Sequence, residues 1–282
     1  MTIVVTGATG QLGRLIVKHL LERVPSSEVV GSVRDPRKGA DLGIEVRHGD
    51  FDQPETLPAA FAGADKLLII STAGDDSVRL RQHTAAVEAA KAAGVKHILY
   101  TSLTAADTSG IALANTHRPT EEAIRATGIP FTFLRNNWYF ENDLGTVAGA
   151  LATGTIANSS QGGRFAPAAR EDYARAAAVV LTTEGHENAV YELGGPVSYS
   201  YADWASAIAE ASGKEITYQE ITPEQATAGL TAAGVPEHMV GLIVDFYATL
   251  ARGEMDVPRE DLRKLIGRDP VSLKEFVASA VN

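Results

Sequence analysis

The sequence predicts an α/β fold: a doubly wound parallel sheet with a smaller helix-rich carboxyl-terminal lobe. In the first half of the chain, short β-branched runs alternate with segments of helical periodicity. This alternation is typical of a parallel sheet covered by helices on both faces. Hydrophobic residues make up 45% and charged residues 21% of the 282 residues, as in ordinary globular proteins. The length allows one large or two modest domains.

The elements of the first half follow in a regular order. A first strand over residues 2–6 leads into a helix whose apolar positions, from Leu12 to Leu20, have helical spacing. Further strands are predicted wherever a short apolar run is bounded by turn residues. These runs cover residues 28–33, 44–48, 66–70, 97–101 and 131–134.

After about residue 140 the alternation weakens and helices dominate. The patterns predict helices over residues 172–181, 201–211, 223–233, 236–250 and 272–281, and strands over 189–193 and 215–221. We therefore expect residues 1–150 to form the sheet domain, with later sheet elements from about 151–195. Residues 196–282 are expected to form a small carboxyl-terminal lobe that contributes to the substrate site.

Charge and residue usage exclude several classes of protein. The chain has 25 Lys+Arg against 35 Asp+Glu, a net charge of −10, which is unsuited to the phosphate backbone of a nucleic acid. It has no cysteine and its seven histidines lie far apart, so no disulfide, thiolate or metal site is predicted. A signal-peptide pattern and a membrane-length apolar run are also lacking. We expect a cytoplasmic protein without membrane partners.

A glycine-rich turn joins the first strand to the first helix. Its residues are Gly7, Ala8, Thr9, Gly10, Gln11, Leu12 and Gly13. Gly7 fits a tight turn, Gly10 lets backbone N–H groups approach a diphosphate, and Gly13 lets helix and strand pack closely. Placed here, the triplet predicts a Rossmann dinucleotide-binding domain over residues 1–150. The alternative is a tight turn that binds nothing.

The end of the second strand decides which dinucleotide is preferred. A ribose-binding Asp or Glu usually stands about 20 residues beyond the glycines, but Arg34 occupies the place 21 residues after Gly13. A guanidinium favours the 2′-phosphate of NADPH over a 2′-hydroxyl. In the alternative, Arg34 is a solvated loop charge and Asp35 binds the ribose.

Other cofactor contacts are expected from polar residues that follow apolar strands, since open α/β sheets bind ligands at the carboxyl ends of their strands. The candidates are Asp50 and Phe51 near adenine, Ser71 and Thr72 after the fourth strand, and Thr101 and Ser102 after the fifth. Ordinary turn chemistry is the alternative for each of them.

The helix after the fifth strand lacks the Tyr-x-x-x-Lys pair that supplies a proton in short-chain dehydrogenases. His117 and Glu121 stand there instead, at a spacing that places them on one helix face. A carboxylate in that position is expected to raise the pKa of the imidazole, making His117 a weak acid or a donor to substrate. Alternatively, Glu121 and Glu122 are first-turn acids that complement the helix dipole.

The segment after the sixth strand is expected at the edge of the sheet where the nicotinamide lies. Asn137 and Tyr139 are candidates to donate hydrogen bonds to an acceptor oxygen, and Trp138 and Phe140 to form an apolar wall. The alternative for Trp138 and Phe140 is packing against the second lobe.

These motifs together resemble one family over nearly the whole chain. Residues 7–13, 33–36, 92–103 and 134–142, with 191–193 and 264–267, closely resemble the bacterial NADPH:quinone oxidoreductases of the NmrA-like, atypical short-chain dehydrogenase group. The resemblance implies an NADPH-dependent, flavin-free enzyme that accepts quinones and forms a dimer. NmrA-like relatives also include NADP(H)-binding redox sensors without turnover, which is the alternative function.

Overall fold

The computed structural model describes residues 1–281, apart from the side chain of His238. Within this range the strands are β1 (Ile3–Thr6), β2 (Val29–Val33), β3 (Glu45–His48), β4 (Lys66–Ile69), β5 (His97–Leu103), β6 (Phe131–Asn136), β7 (Thr155–Asn158), β8 (Ala189–Leu193) and β9 (Thr217–Glu220). The helices are α1 (Gln11–Leu21), α2 (Leu57–Phe61), α3 (Asp76–Ala92), α4 (Ala114–Ala126), α5 (Leu144–Thr153), α6 (Arg170–Thr182), α7 (Tyr201–Ser212), α8 (Pro223–Ala232), α9 (Glu237–Ala251), α10 (Asp261–Ile266) and α11 (Leu273–Val281).

The main sheet confirms the predicted doubly wound fold. Its strand order is β3-β2-β1-β4-β5-β6-β8, and the pairs from β3 through β6 are parallel. The order reverses between β1 and β4, so a crevice opens at the carboxyl ends of these two strands. In such sheets this switch point is where ligands bind.

The sheet is held by a continuous apolar core. The strand residues Val4, Leu67, Ile98 and Phe133 are buried in one cluster with side chains of α2 and α3. Every residue of β1 and β2 is buried, which is why both strands consist of apolar and small uncharged residues and do not alternate between charged and apolar positions.

The chain folds into two compact units, and neither unit is continuous in sequence. The first comprises Met1–Asp107, Leu113–Asn136 and Glu171–Glu192; the second comprises Thr108–Ala112, Asn137–Arg170 and the described residues from Leu193 onward. The sequence patterns predict a single division of the chain, after residue 195. The structure differs because Phe140 and Phe165 pack with Trp204 in the second unit.

The second unit is rich in helices and contains the small parallel pair β7 and β9. Strand β7, like helices α5 and α10, has no counterpart among the predicted elements. Its four residues, Thr-Ile-Ala-Asn, include a single large apolar side chain, which is too few for the sequence to indicate a strand. The predicted strand at residues 215–221 shortens to Thr217–Glu220. In the described range no helix is long and apolar enough to span a membrane.

Candidate dinucleotide and acceptor site

The glycine-rich turn leaves the amino terminus of α1 open for an anion. Gly7 has φ +60°, a backbone conformation that favours glycine, and its carbonyl accepts the Gly10 N–H at 2.8 Å. The N-cap residue of α1 is Gly10, so within the described chain no capping side chain hydrogen-bonds to the N–H groups of the first turn. The N–H groups of Gln11, Leu12 and Gly13 therefore stand in the first helical turn, where such groups have no intrahelical partner.

Gly13 lets α1 lie directly against this turn. A Cβ atom at Gly13 would stand 2.2 Å from the Gly7 carbonyl oxygen and 2.8 Å from the Ala8 Cα. Both neighbours are backbone atoms and neither can rotate away. The predicted close packing of helix and strand at Gly13 is therefore confirmed.

A cavity of about 930 Å³ opens beside the turn, within the first unit. This volume is at the upper end of the range for small-molecule sites. Half of the sixteen predicted site residues line it: Gly7, Thr9, Gly10, Arg34, Asp50, Phe51, Ser71 and Thr72. The cavity is also lined by Arg14, Ser32, Val33, Asp35, Lys38, Gly49, Ile70, Ala73 and Gln82.

Cations surround the part of the cavity at the end of β2. Arg34 is exposed and makes no hydrogen bond or ion pair with the part of the chain that the structure describes. Asp35, by contrast, binds both Nε and Nη2 of Arg37, at 2.9 and 3.0 Å. These bonds lower the pKa of Asp35 and occupy its oxygens. The geometry thus leaves Arg34, not Asp35, available to a ligand.

Arg14 joins the glycine-rich turn to the loop after β2. Its Nε donates to the carbonyl oxygen of Thr9 at 3.3 Å, and its Nη2 donates to that of Lys38 at 2.7 Å. Its Nη1 pairs with Asp41 at 2.7 Å. The loop that bears Arg34 and Lys38 is thereby tied to the start of α1.

Two buried polar atoms of the cavity lining have no partner among the described residues. They are Ser32 Oγ and Gln82 Oε1. Gln82 is oriented by its own Nε2, which donates to Asp52 Oδ2 at 3.0 Å. Since buried polar atoms are normally hydrogen-bonded, both atoms fit a ligand that brings hydroxyl or amino donors.

Thr101 and Ser102 lie in β5, whereas the sequence analysis expects them in a loop that contacts the cofactor. The strand continues to Leu103, and Ser102 pairs with Arg135 of β6. Both side chains are buried. Thr101 Oγ1 accepts the Ser71 N–H at 2.9 Å, and Ser102 Oγ donates to Glu121 at 2.6 Å. Thr101 thus supports a loop that lines the cavity without lining it.

His117 is buried in the first unit, with 5% of its surface exposed. Its Nδ1 lies 2.8 Å from the Tyr100 hydroxyl and its Nε2 lies 3.3 Å from Arg79 Nη2. Burial, followed by the charges of Arg79 and His83, lowers the pKa of His117 well below its usual value. The expectation that Glu121 raises this pKa is therefore wrong.

Glu121 is engaged elsewhere, and it is not a first-turn residue, because α4 begins at Ala114. Its two oxygens accept Nε and Nη2 of Arg135 at 2.9 and 2.7 Å. Arg135 also pairs with Glu192 at 2.9 Å. A buried guanidinium thus pairs with Glu121, and nothing offsets the burial and the nearby charges that lower the pKa of His117.

Asn137 and Tyr139 lie in the second unit. Asn137 Oδ1 accepts the Trp138 N–H at 2.7 Å and its Nδ2 donates to the Met255 carbonyl oxygen at 3.4 Å. The Tyr139 ring lies 5.0 Å from the guanidinium carbon of Arg170. Trp138 stacks on Phe246, with ring centroids 3.8 Å apart, and Phe140 is 1% exposed. Packing within the lobe accounts for these two aromatic side chains.

Comparison with known proteins identifies the family. The profile of the NmrA-like family matches residues 1–276. The chain belongs to the NmrA-like family. This NmrA-like chain is 40% identical to quinone oxidoreductase 2 of Escherichia coli (strain K12), over 99% of either chain.

Solved structures extend the similarity. The NADPH complex of an NADPH-dependent quinone oxidoreductase from Escherichia coli is similar at a TM-score of 0.97 and 39% identity, and all of either chain is covered. The triphenylmethane reductase of Citrobacter sp., complexed with NADP(H), is similar at a TM-score of 0.95 and 42% identity. That match covers 99% of this chain and all of the other.

Four polar residues that line the cavity of this NmrA-like chain are not among the predicted site residues: Arg14, Ser32, Lys38 and Gln82. Arg14 directly follows the last glycine of the motif, and Lys38 belongs to the basic stretch that includes Arg34, so both had a local signal. Gln82 had none. It lies on α3 and lines the cavity only because that helix packs beside the loop after β4.

Proposed function

We propose that the chain is an NADPH-dependent oxidoreductase that passes a hydride directly to a quinone, without flavin. The observation that supports the proposal is the cavity at the switch point. It is lined by the turn residues Gly7, Thr9 and Gly10, by Arg34, and by Ser32 and Gln82, each of which has a buried oxygen without a partner among the described residues. These groups match a diphosphate, a ribose phosphate and a purine with its sugar hydroxyls.

Each part of the cofactor has residues that suit it. The N–H groups of Gln11, Leu12 and Gly13, with the turn at Thr9 and Gly10, suit the diphosphate. Arg34, supported by Lys38, suits the 2′-phosphate. Asp50, Phe51 and Gln82 suit the adenine, and Ser71 and Thr72 the adjoining sugar. When bound, NADPH supplies the hydride.

The missing Tyr/Lys proton donor favours a quinone as the acceptor. No Tyr-x-x-x-Lys pair occurs on α4, so a ketone would leave its alkoxide without a strong acid. A quinone that accepts a hydride becomes an aromatic hydroquinone anion, whose charge is delocalised. Such a substrate needs positioning and moderate oxyanion stabilisation more than a protein acid.

Asn137 and Tyr139 are the side chains proposed to orient the acceptor by hydrogen bonds. His117, neutral and enclosed by Tyr100 and Arg79, is proposed to act on the site through these neighbours and not as an acid in contact with the quinone. A small-molecule partner, a homodimer and a cytoplasmic location belong to the same proposal. They rest on the similarity to quinone oxidoreductases and on the acidic composition.

The test is an NADPH oxidation assay on purified protein without added flavin. The acceptors are benzoquinones, naphthoquinones, simple carbonyls and a triphenylmethane dye, because one similar protein is a reductase of such dyes. Quinone-dependent loss of NADPH absorbance supports the proposal. Tight NADPH binding with no turnover of any acceptor supports the sensor function instead. Turnover of the dye alone would restrict the acceptor to that class.

A further inference from the structure

The loop after β4 is held by side chains from other elements. Ile70, Ser71, Thr72 and Ala73 line the dinucleotide cavity. The Ile70 N–H donates to Thr6 Oγ1 at 2.9 Å, and the Ser71 N–H to Thr101 Oγ1 at 2.9 Å. The Thr72 N–H donates to His83 Nε2 at 3.0 Å. Three successive amides are thus anchored to β1, β5 and α3, and the loop faces the ligand with a fixed backbone.

The bond from Thr72 fixes the protonation state of His83. A backbone N–H only donates, so Nε2 must be the unprotonated nitrogen, and the single ring proton lies on Nδ1. Nδ1 stands 3.0 Å from Thr120 Oγ1, whose own hydroxyl donates to the Thr116 carbonyl oxygen at 2.7 Å. Burial, with the charge of Arg79, lowers the pKa of His83 to about 4, which keeps this neutral tautomer at ordinary pH.

Arg79 binds the carbonyl group of Thr72, the residue whose N–H group binds His83. Its Nε donates to the Thr72 carbonyl oxygen at 2.8 Å, and its Nη1 to Asp76 at 3.3 Å. Its Nη2 faces His117 Nε2 at 3.3 Å. Arg79 and His83 are 4% and 0% exposed, whereas Thr72 is partly exposed and lines the cavity. Either bond is costly to lose, because a buried guanidinium or imidazole is then left with one hydrogen-bond partner fewer.

We propose that His83 and Arg79 are positioning residues that hold the backbone of Thr72 in place for the dinucleotide. They act through Thr72 and line no part of the cavity themselves. The inference rests on the proposed NADPH site and adds to it a pair of residues behind the loop. Helix α3 thereby fixes the backbone of the loop after β4, which lines the cavity together with the glycine-rich turn.

Two variants of His83 separate this role from general packing. In His83→Gln the amide oxygen takes the place of Nε2 and still accepts the Thr72 N–H. In His83→Asn the amide reaches only the place of Nδ1, so Thr120 keeps a partner and the Thr72 N–H loses its acceptor. Calorimetry with NADPH should show affinity about 10-fold to 100-fold weaker for His83→Asn and within about 3-fold of the parent for His83→Gln. The rate at saturating NADPH should change little in either.

Amide exchange provides a readout that does not depend on NADPH. Measured by NMR on the protein without cofactor, the Thr72 amide should exchange at least about 10-fold faster in His83→Asn, while the Ile70 and Ser71 amides keep their protection. Melting curves first establish that both variants are folded. The inference would be overturned if the two variants then showed the same exchange rate of the Thr72 amide and the same affinity for NADPH. If no variant or parent binds NADPH but Thr72 exchange rises only in His83→Asn, the anchoring holds and the proposed function fails instead.

Discussion

Arg34 and Asp35 are adjacent at the end of β2, but their charged groups have different surroundings. The carboxylate of Asp35 is held by Arg37, whereas the guanidinium of Arg34 faces the cavity. The Arg37 guanidinium and backbone N–H already hydrogen-bond to both carboxylate oxygens of Asp35, so a ribose hydroxyl would have to compete with a charged partner. We therefore expect Arg34 to decide between NADPH and NADH.

The first prediction concerns this choice. Arg34→Ala should weaken NADPH binding by about 1.5–3 kcal/mol, the usual worth of a charged hydrogen bond, and leave NADH binding nearly unchanged. Lys91→Ala, which removes the same charge from the exposed last turn of α3, is the control. Equal losses for the two cofactors, measured by calorimetry, would contradict the assignment of the 2′-phosphate to Arg34.

Asn137 gives a second prediction at the residue scale. Asn137→Ala should lower quinone turnover by more than it changes NADPH affinity, because its amide is proposed to orient the acceptor. Asn142→Ala changes an exposed asparagine of the same segment and is the control. Steady-state rates are compared below the melting temperature of both variants, since Asn137 also binds Trp138 and Met255. Unchanged turnover would remove Asn137 from the site.

Asp143 is a buried carboxyl whose charge opposes folding. Burial raises the pKa of Asp143 to about 6 from the usual 3.8, against the opposing effect of Tyr201, Trp138 and Thr146, which all donate hydrogen bonds to it. A raised pKa means that the folded state prefers the protonated form. The stability from this group is therefore fully present below about pH 4 and is lost as the pH rises through 6.

The resulting prediction is measured by urea unfolding at pH 4 and pH 7. The difference in free energy of unfolding between Asp143→Asn and the parent should shift in favour of the variant by up to about 3 kcal/mol from pH 4 to pH 7. The reason is that the parent must bury a charge at pH 7 and the variant does not. The other carboxyl groups are the same in both proteins, so their contribution to the pH dependence cancels in this difference. A pH-independent difference between the two proteins would show that Asp143 does not titrate in this range.

At the scale of elements, α1 and β1 meet without any side chain between the Gly7 carbonyl and Gly13. Gly13→Ala should therefore destabilise the fold by about 1–3 kcal/mol, as overpacking does, and weaken NADPH binding. Gly149→Ala is the matched control: it lies in α5 with open space around its Cβ, so it should stabilise by about 0.5–1 kcal/mol. Chemical denaturation measures both. Similar behaviour of the two variants would contradict the close approach.

The strands and long helices of the sheet could be predicted from local pattern alone. The strand ends could not. β5 and β6 run past residues 101 and 134 because they continue to pair, Ser102 with Arg135 and Leu103 with Asn136. Polar residues at these positions look like the start of a loop, and only the partner strand shows that they are buried. This is why Thr101 and Ser102 were expected to contact the cofactor.

For the whole molecule, a ligand that binds only the folded state must stabilise it. At 100 times its dissociation constant, NADPH should raise the free energy of unfolding by about 2.7 kcal/mol, and NADH at the same concentration should raise it less. Thermal melts at several NADPH concentrations measure this effect. A melting temperature that does not change with NADPH would refute the cofactor assignment as a whole.

The doubly wound sheet, the glycine-rich turn and the guanidinium at the end of β2 can be predicted from the sequence alone. These features depend on residues that are close along the chain, so periodicity and spacing are enough to recognise them. The fold was needed to show that Arg37 binds Asp35, that Arg135 pairs with Glu121, and that His83 and Arg79 hold the backbone of Thr72. Each of these is a choice of partner for a buried or charged group, and that choice depends on which elements pack together.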